Sequence, residues 1–133
     1  MADSNIRHHI EACGDDNSVH LNDSLARALP LKNRLLGRIA HGKLVQAIAI
    51  DLLRREELEL RPEIVPMIVE ENWKHRAPLY PGEEIRVRYT RPDNLRLNRP
   101  ITFEITVFVL RAEVEVVVQV GTVIAFPTQI VES

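Results

Sequence analysis

The stretch GRIAHGKLVQAIAIDLLRREE constrains this chain more than any other part of it. From about Ala40 to Arg55 it reads as one helix, apolar on nearly every side. Only Lys43, Gln46 and Arg54 form a thin polar stripe, with Asp51 off to one flank. A helix apolar nearly all round must be buried nearly all round. In a chain of 133 residues, only a sheet curling around it can provide that cover.

The second half supplies such a sheet. ITFEITVFV sets Ile101, Phe103, Ile105, Val107 and Val109 against Thr102, Glu104 and Thr106. VEVVVQVGTVIAF places Val114, Val116, Val118 and Val120 on one face, with Glu115 and Gln119 on the other. EIRVRYT alternates Ile85, Val87 and Tyr89 with Arg86, Arg88 and Thr90. Period-two alternation of β-branched residues is the strand signal. PGEE at 81–84 and RPDNLRLNRP at 91–100 read as turns. The extended IVPMIVEENWKHRAPLY precedes them, and its Pro66 marks an edge strand or a strand start.

The first third is built of short helices. Ile6, Ile10 and Cys13 stand at helical spacing over residues 5–13, with Arg7, His8 and Glu11 facing elsewhere and Gly14 as the stop. A second helix covers Ser24 to Leu29, capped by Asn22 or Asp23 and ended by Pro30. Short helices, one buried helix and about four antiparallel strands make one α+β domain over residues 1–133. A net charge of −2 gives no reason to expect nucleic acid. No apolar run is long enough for a membrane span, and the polar start MADSNIRHH is no signal peptide. The single cysteine, Cys13, fits a reducing compartment, so a cytoplasmic location is expected.

Two motifs carry chemistry. GDDNSVHLND gathers two acids, an amide and an imidazole on one turn, and GRIAHGKL opens the long helix. Asp15 and His20, five apart on a turn, can converge on one water molecule. Gly42 lies in the first helical turn, where amides without acceptors and the helix dipole favour an anion. Taken alone, Asp15 and Asp16 would more often cap a turn, and His20 would more often be a hydrogen-bonded surface histidine. His8 and His9 point away from one another on a helix and form no closed metal set. Cys13 lies on the apolar face without a basic neighbour. Trp73 fills core or interface, and Arg86 and Arg88 read as solvated strand charges with a phosphate role as the lesser reading.

In this order the two motifs resemble the MaoC-like (R)-specific enoyl-thioester hydratases, whose pattern runs roughly GDxNPxHxD and then GRIAHGxL. ENWKHRAPLYPGEEIRVRYT looks like the family's strand–Pro–Gly–strand hairpin, and VGTVIAFP looks like its closing strand. The resemblance implies a hotdog fold, a long central helix wrapped by an antiparallel sheet, with dimers made by joining two sheets. It implies reversible hydration of a trans-2-enoyl thioester to an (R)-3-hydroxyacyl thioester, carried by coenzyme A or acyl carrier protein. Asp15 and His20 would activate the water and the Gly42 amide would polarise the carbonyl. Asn17 would hold the turn, His41 would orient the helix start, and Ala40 with them would lie against substrate. No cofactor or metal is implied.

Three departures stand out. Ser18 replaces the family's proline, the loop over residues 30–37 is longer than usual, and the chain starts at its first helix without the strand many members carry ahead of it. The last leaves one sheet edge thin and favours a partner, so a homodimer is expected. Residues 29–37 and 58–70 would then shape the far wall of the pocket. Two other readings remain. A hotdog thioesterase would use an acid on the helix, Asp51 or Glu56. A non-catalytic acyl-thioester-binding subunit would have no need of the Asp15–His20 pair.

Overall fold

The computed structural model describes residues 1–31, 34–58, 64–90 and 99–129. Helix α1 (Asp3–Cys13) ends at Gly14, which takes a left-handed conformation at φ 73°. A 3₁₀ turn at Ser18–His20 follows, and then helix α2 (Asp23–Ala28), where the Asn22 side chain accepts a hydrogen bond from the Leu25 amide. Of the two candidate caps, the asparagine serves. Helix α3 (Gly42–Leu53) loosens into a π turn over Arg54–Leu58.

Strands β1 (Ile64–His75), β2 (Arg86–Thr90), β3 (Ile101–Arg111) and β4 (Val114–Gln129) form one antiparallel sheet in the order β1-β4-β3-β2. β1 is therefore an edge, as Pro66 implies. Pro66 lies opposite Pro127, beyond the point where β3 begins to pair at Ala125. Pro127 thus deprives no β3 carbonyl of a donor.

Three expectations are corrected here. The stretch from Glu71 to Thr90 is no hairpin, because β1 and β2 lie at opposite edges of the sheet. The Arg76 and Ala77 amides both donate to the Val118 carbonyl, which ends β1 against β4. Residues 76–85 then cross the end of the sheet, anchored by buried Leu79 and by Arg111, which donates to Glu83 and to the Pro78 carbonyl. The turn at RPDNLRLNRP falls mostly on residues 91–98, outside the described ones.

The long helix is also less enclosed than its composition demands. Val45, Ala49 and Leu53 are buried against the sheet, but Lys43 and Ala47 are exposed and the remaining α3 positions are only half covered. Four strands cover one side of a helix, and among the described residues nothing covers the other.

The third correction concerns β4. Its register shifts against β3 between Val107 and Phe108, which pair with Gln119 and Val117 and leave Val118 unpaired. This bulge inverts the inward phase, so Val118 and Gln119 are both 1% exposed and the inner face continues through Val123 and Ala125. Gln119 therefore points into the core rather than outward, and Val120 leaves it. On β3 the alternation holds as read, with Ile101, Phe103, Ile105, Val107 and Val109 all buried. These residues join Ile6, Ala40, Val45, Leu53 and Leu79 in a single core.

Candidate active site

The left-handed Gly14 sends the chain sharply away from α1, so Asp15 begins a turn rather than another helical residue. The Asn17 carbonyl oxygen, Oδ1, accepts from the Val19 amide and caps the 3₁₀ turn that carries His20. His20 is 9% exposed, and its Nδ1–H donates to the Ile39 carbonyl at 2.8 Å. In the neutral ring that bond leaves the lone pair on Nε2. Nε2 lies 3.9 Å from Asp15 Oδ2. That is too long for a direct hydrogen bond and short enough for one water oxygen to reach both groups.

The second motif closes on the first. His41, at the N-cap position of α3, is 2% exposed and donates from Nε2 to the Asp15 carbonyl at 2.8 Å. Its ring stacks on His20 at 3.6 Å between centroids, and the His9 ring of α1 leans on it at 4.6 Å. His41 Nδ1 is buried without a hydrogen-bond partner among the described residues. Burial lowers the His9 proton affinity and the neighbouring His41 lowers it further, against a smaller opposing pull from Asp15. Asp15, His20 and His41 come close enough to suggest a metal set. The three residues offer one ligand atom each, however, one short of the four a closed site takes.

Beside this cluster a cavity of about 390 Å³ opens between the start of α3 and the connection after β1. His20, Ala40 and Gly42 line it, with His75, Leu79 and Gln119 opposite. Asp15, Asn17 and His41 stand outside the lining, behind His20. Among the described residues the far wall comes from 75–79 and 118–119; residues 32–33 and 59–63, within the stretches expected to shape it, lie outside the described ones. The crossing connection fills that place because β1 and β2 are not neighbours. A Cβ on Gly42 would stand 2.1 Å from Cε1 of the exposed His75 ring, so a larger residue there would displace that ring. The buried Gln119 amide donates to the Gly42 carbonyl at 3.1 Å and accepts from Gln46 at 2.9 Å, which fixes the first peptide of the helix.

No family model and no curated relative matches this chain. Among solved structures it is similar to the monoamine oxidase regulatory protein from Archaeoglobus fulgius, at TM-score 0.74 and 15% identity over 99% of this chain and 84% of that one. It is similar to the (R)-hydratase from A. caviae involved in PHA biosynthesis, at TM-score 0.69 and 15% identity over 95% and 87%. A third likeness is to the ChsH1–ChsH2 complex from Mycobacterium tuberculosis, at TM-score 0.57 and 14% identity over 100% and 81%. The chain has the hotdog fold.

In this hotdog fold α3 is the central helix, and its N-terminus faces the turn that bears Asp15 and His20. The acids a thioesterase would need are placed elsewhere. Asp51 pairs with Arg54 and Arg55, Glu56 accepts from the Tyr89 hydroxyl, and neither lines the cavity. Arg88 is held by Glu115 and lies over the Phe108 ring. Trp73 packs across Gly121, partly buried against the core. Cys13 is exposed rather than on the buried face, and its sulfur lies 3.9 Å from His9 Nδ1, so a basic neighbour does stand beside it. Sequence reasoning misses His9, His75 and Gln119. Only His75 leaves a trace, one residue pair beyond Trp73 on the same strand face.

Proposed function

We propose that this protein hydrates 2-enoyl thioesters to 3-hydroxyacyl thioesters, and dehydrates them in reverse, as an (R)-specific hydro-lyase. The carrier is coenzyme A or acyl carrier protein, and no cofactor takes part. The observation that supports the reading most is the 3.9 Å separation of Asp15 Oδ2 and His20 Nε2 beside the start of α3. A carboxylate and an imidazole lone pair that share one water can draw its proton as its oxygen attacks C3. The Gly42 amide, among the first of α3 and without an acceptor inside the helix, suits the negative charge that gathers on the thioester oxygen. The fold likeness to an (R)-hydratase agrees with this, and the handedness of the product is taken from that likeness alone.

Asn17 keeps the turn in shape, His41 ties the turn to the helix, and Ala40 walls the acyl pocket. The test is to mix the protein with crotonyl-coenzyme A, following the conjugated enoyl absorbance and free thiol in parallel. Absorbance should fall without thiol release. Asp15→Asn and His20→Ala should each cut turnover by about 10³-fold or more while circular dichroism stays unchanged. Thiol release would make the protein a thioesterase. Silence with both carriers would favour a non-catalytic acyl-thioester-binding subunit.

A further inference from the structure

The geometry points to His75 as a second oxyanion donor beside Gly42. The inference rests on the hydratase reading and adds a catalytic residue to it. His75 is the last residue of β1, and its ring lies against the Gly42 backbone. A Cβ built on Gly42 would stand 2.1 Å from Cε1 and 3.0 Å from both Nδ1 and Nε2. Whichever ring nitrogen carries the hydrogen is therefore beside the first peptide of α3. His75 is exposed, and among the described residues its ring makes no hydrogen bond or ion pair, so its N–H can turn to a ligand. His75 and Gly42 both line the cavity that His20 faces.

One residue holds the two donors in relation to each other. Gln119 pairs with His75 across the β1–β4 ladder, and its side chain donates to the Gly42 carbonyl. The strand end thus pairs with the backbone of the residue whose buried side chain holds the helix start. Sites that stabilise an oxyanion commonly use two aimed donors, and their strength depends on being held in place before the charge develops.

A water O–H bond breaks and its proton passes to the Asp15–His20 pair as the water oxygen bonds to C3. The C2=C3 electron pair moves to C1–C2, and the carbonyl pair moves to oxygen. The resulting enolate oxygen receives N–H donors from Gly42 and His75. When that pair returns, C2 takes a proton from the Asp15–His20 pair and the thioester carbonyl is restored.

Two substitutions and two readouts test this. His75→Phe keeps a ring against Gly42 but removes the donor, whereas His75→Gln keeps an N–H. With crotonyl-coenzyme A, the phenylalanine variant should lose about 10²-fold in kcat with KM changed less than about threefold. The glutamine variant should stay within about tenfold of the wild type. The second readout needs no turnover. Acetoacetyl-coenzyme A has an enolate that absorbs in the near ultraviolet, and the wild-type protein should raise that absorbance where His75→Phe does not. Enolate stabilisation lost in His75→Phe, with no hydration by the wild type, would uphold the donor and overturn the hydratase reading. Hydration by the wild type that His75→Phe matches would overturn the donor alone. Equal impairment of both variants, or an enolate signal that His75→Phe retains or that the wild type never shows, would also overturn it.

Discussion

At the scale of single residues, the meeting of Asp15, His20 and His41 is legible in the sequence because each motif is local. A left-handed glycine, a capping asparagine and a helix start are short-range devices, and each puts its side chain where the spacing says. His75 and Gln119 are illegible for the opposite reason. They reach the cavity only through the pairing of β1 with β4, which no local pattern encodes. In the sequence His9 is only a helix-face histidine, and the docking of α1 brings it against His41. Its lowered proton affinity, from burial first and His41 second, has a sign that can be checked. Below the ordinary imidazole value of 6.5, the unfolded chain takes up a proton that the folded chain resists. The contribution to stability is therefore present above that pH and is lost on acidification. Between pH 7 and pH 5 the wild type should lose more melting temperature than His9→Gln, and equal losses would refute the assignment.

At the scale of elements, strand and helix identities follow from periodicity, but the partners of each strand do not. The hairpin expected from Glu71 to Thr90 fails because a proline–glycine turn specifies a bend, not which edge the next strand will join. The turn between β3 and β4 is the reverse case, a real hairpin without a turn signature. Ala112 and Glu113 both take positive φ, at 50° and 64°, between the paired Arg111 and Val114. A two-residue turn of this hand prefers Asn-Gly, and L side chains there cost about 1–2 kcal/mol each. Ala112→Asn with Glu113→Gly should stabilise the protein by about 1 kcal/mol, read as a melting temperature about 3–5 °C higher.

At the scale of the whole molecule, an all-round apolar helix is only half covered, and the free edge of β1 carries Met67 and Val69, more than half exposed. Among the described residues no helix is long and apolar enough to cross a membrane. A second copy joined along β1 would cover both the edge and the strip of α3 beside it. The protein should therefore run as a homodimer by light scattering, and Val69→Lys should shift it toward the monomer at micromolar concentration. The sequence could show the surplus of apolar surface on α3. It could not show where the cover comes from, because a helix pattern records burial and not its source.

The bulge at Val118 has a consequence for how β4 would respond to random mutagenesis. Ahead of it the even positions face inward, and beyond it the odd positions do. A charge scan along the strand should find positions 115 and 117 permissive and 116 and 118 intolerant. From 119 onward the pattern should reverse, with 120, 122 and 124 permissive and 119, 121 and 123 intolerant. Deleting Val118 would remove the bulge and restore unbroken alternation, with Gln119 still facing the helix start. Deleting Thr122, outside the bulge, would instead exchange the two faces beyond it and turn Val123 and Ala125 out into water.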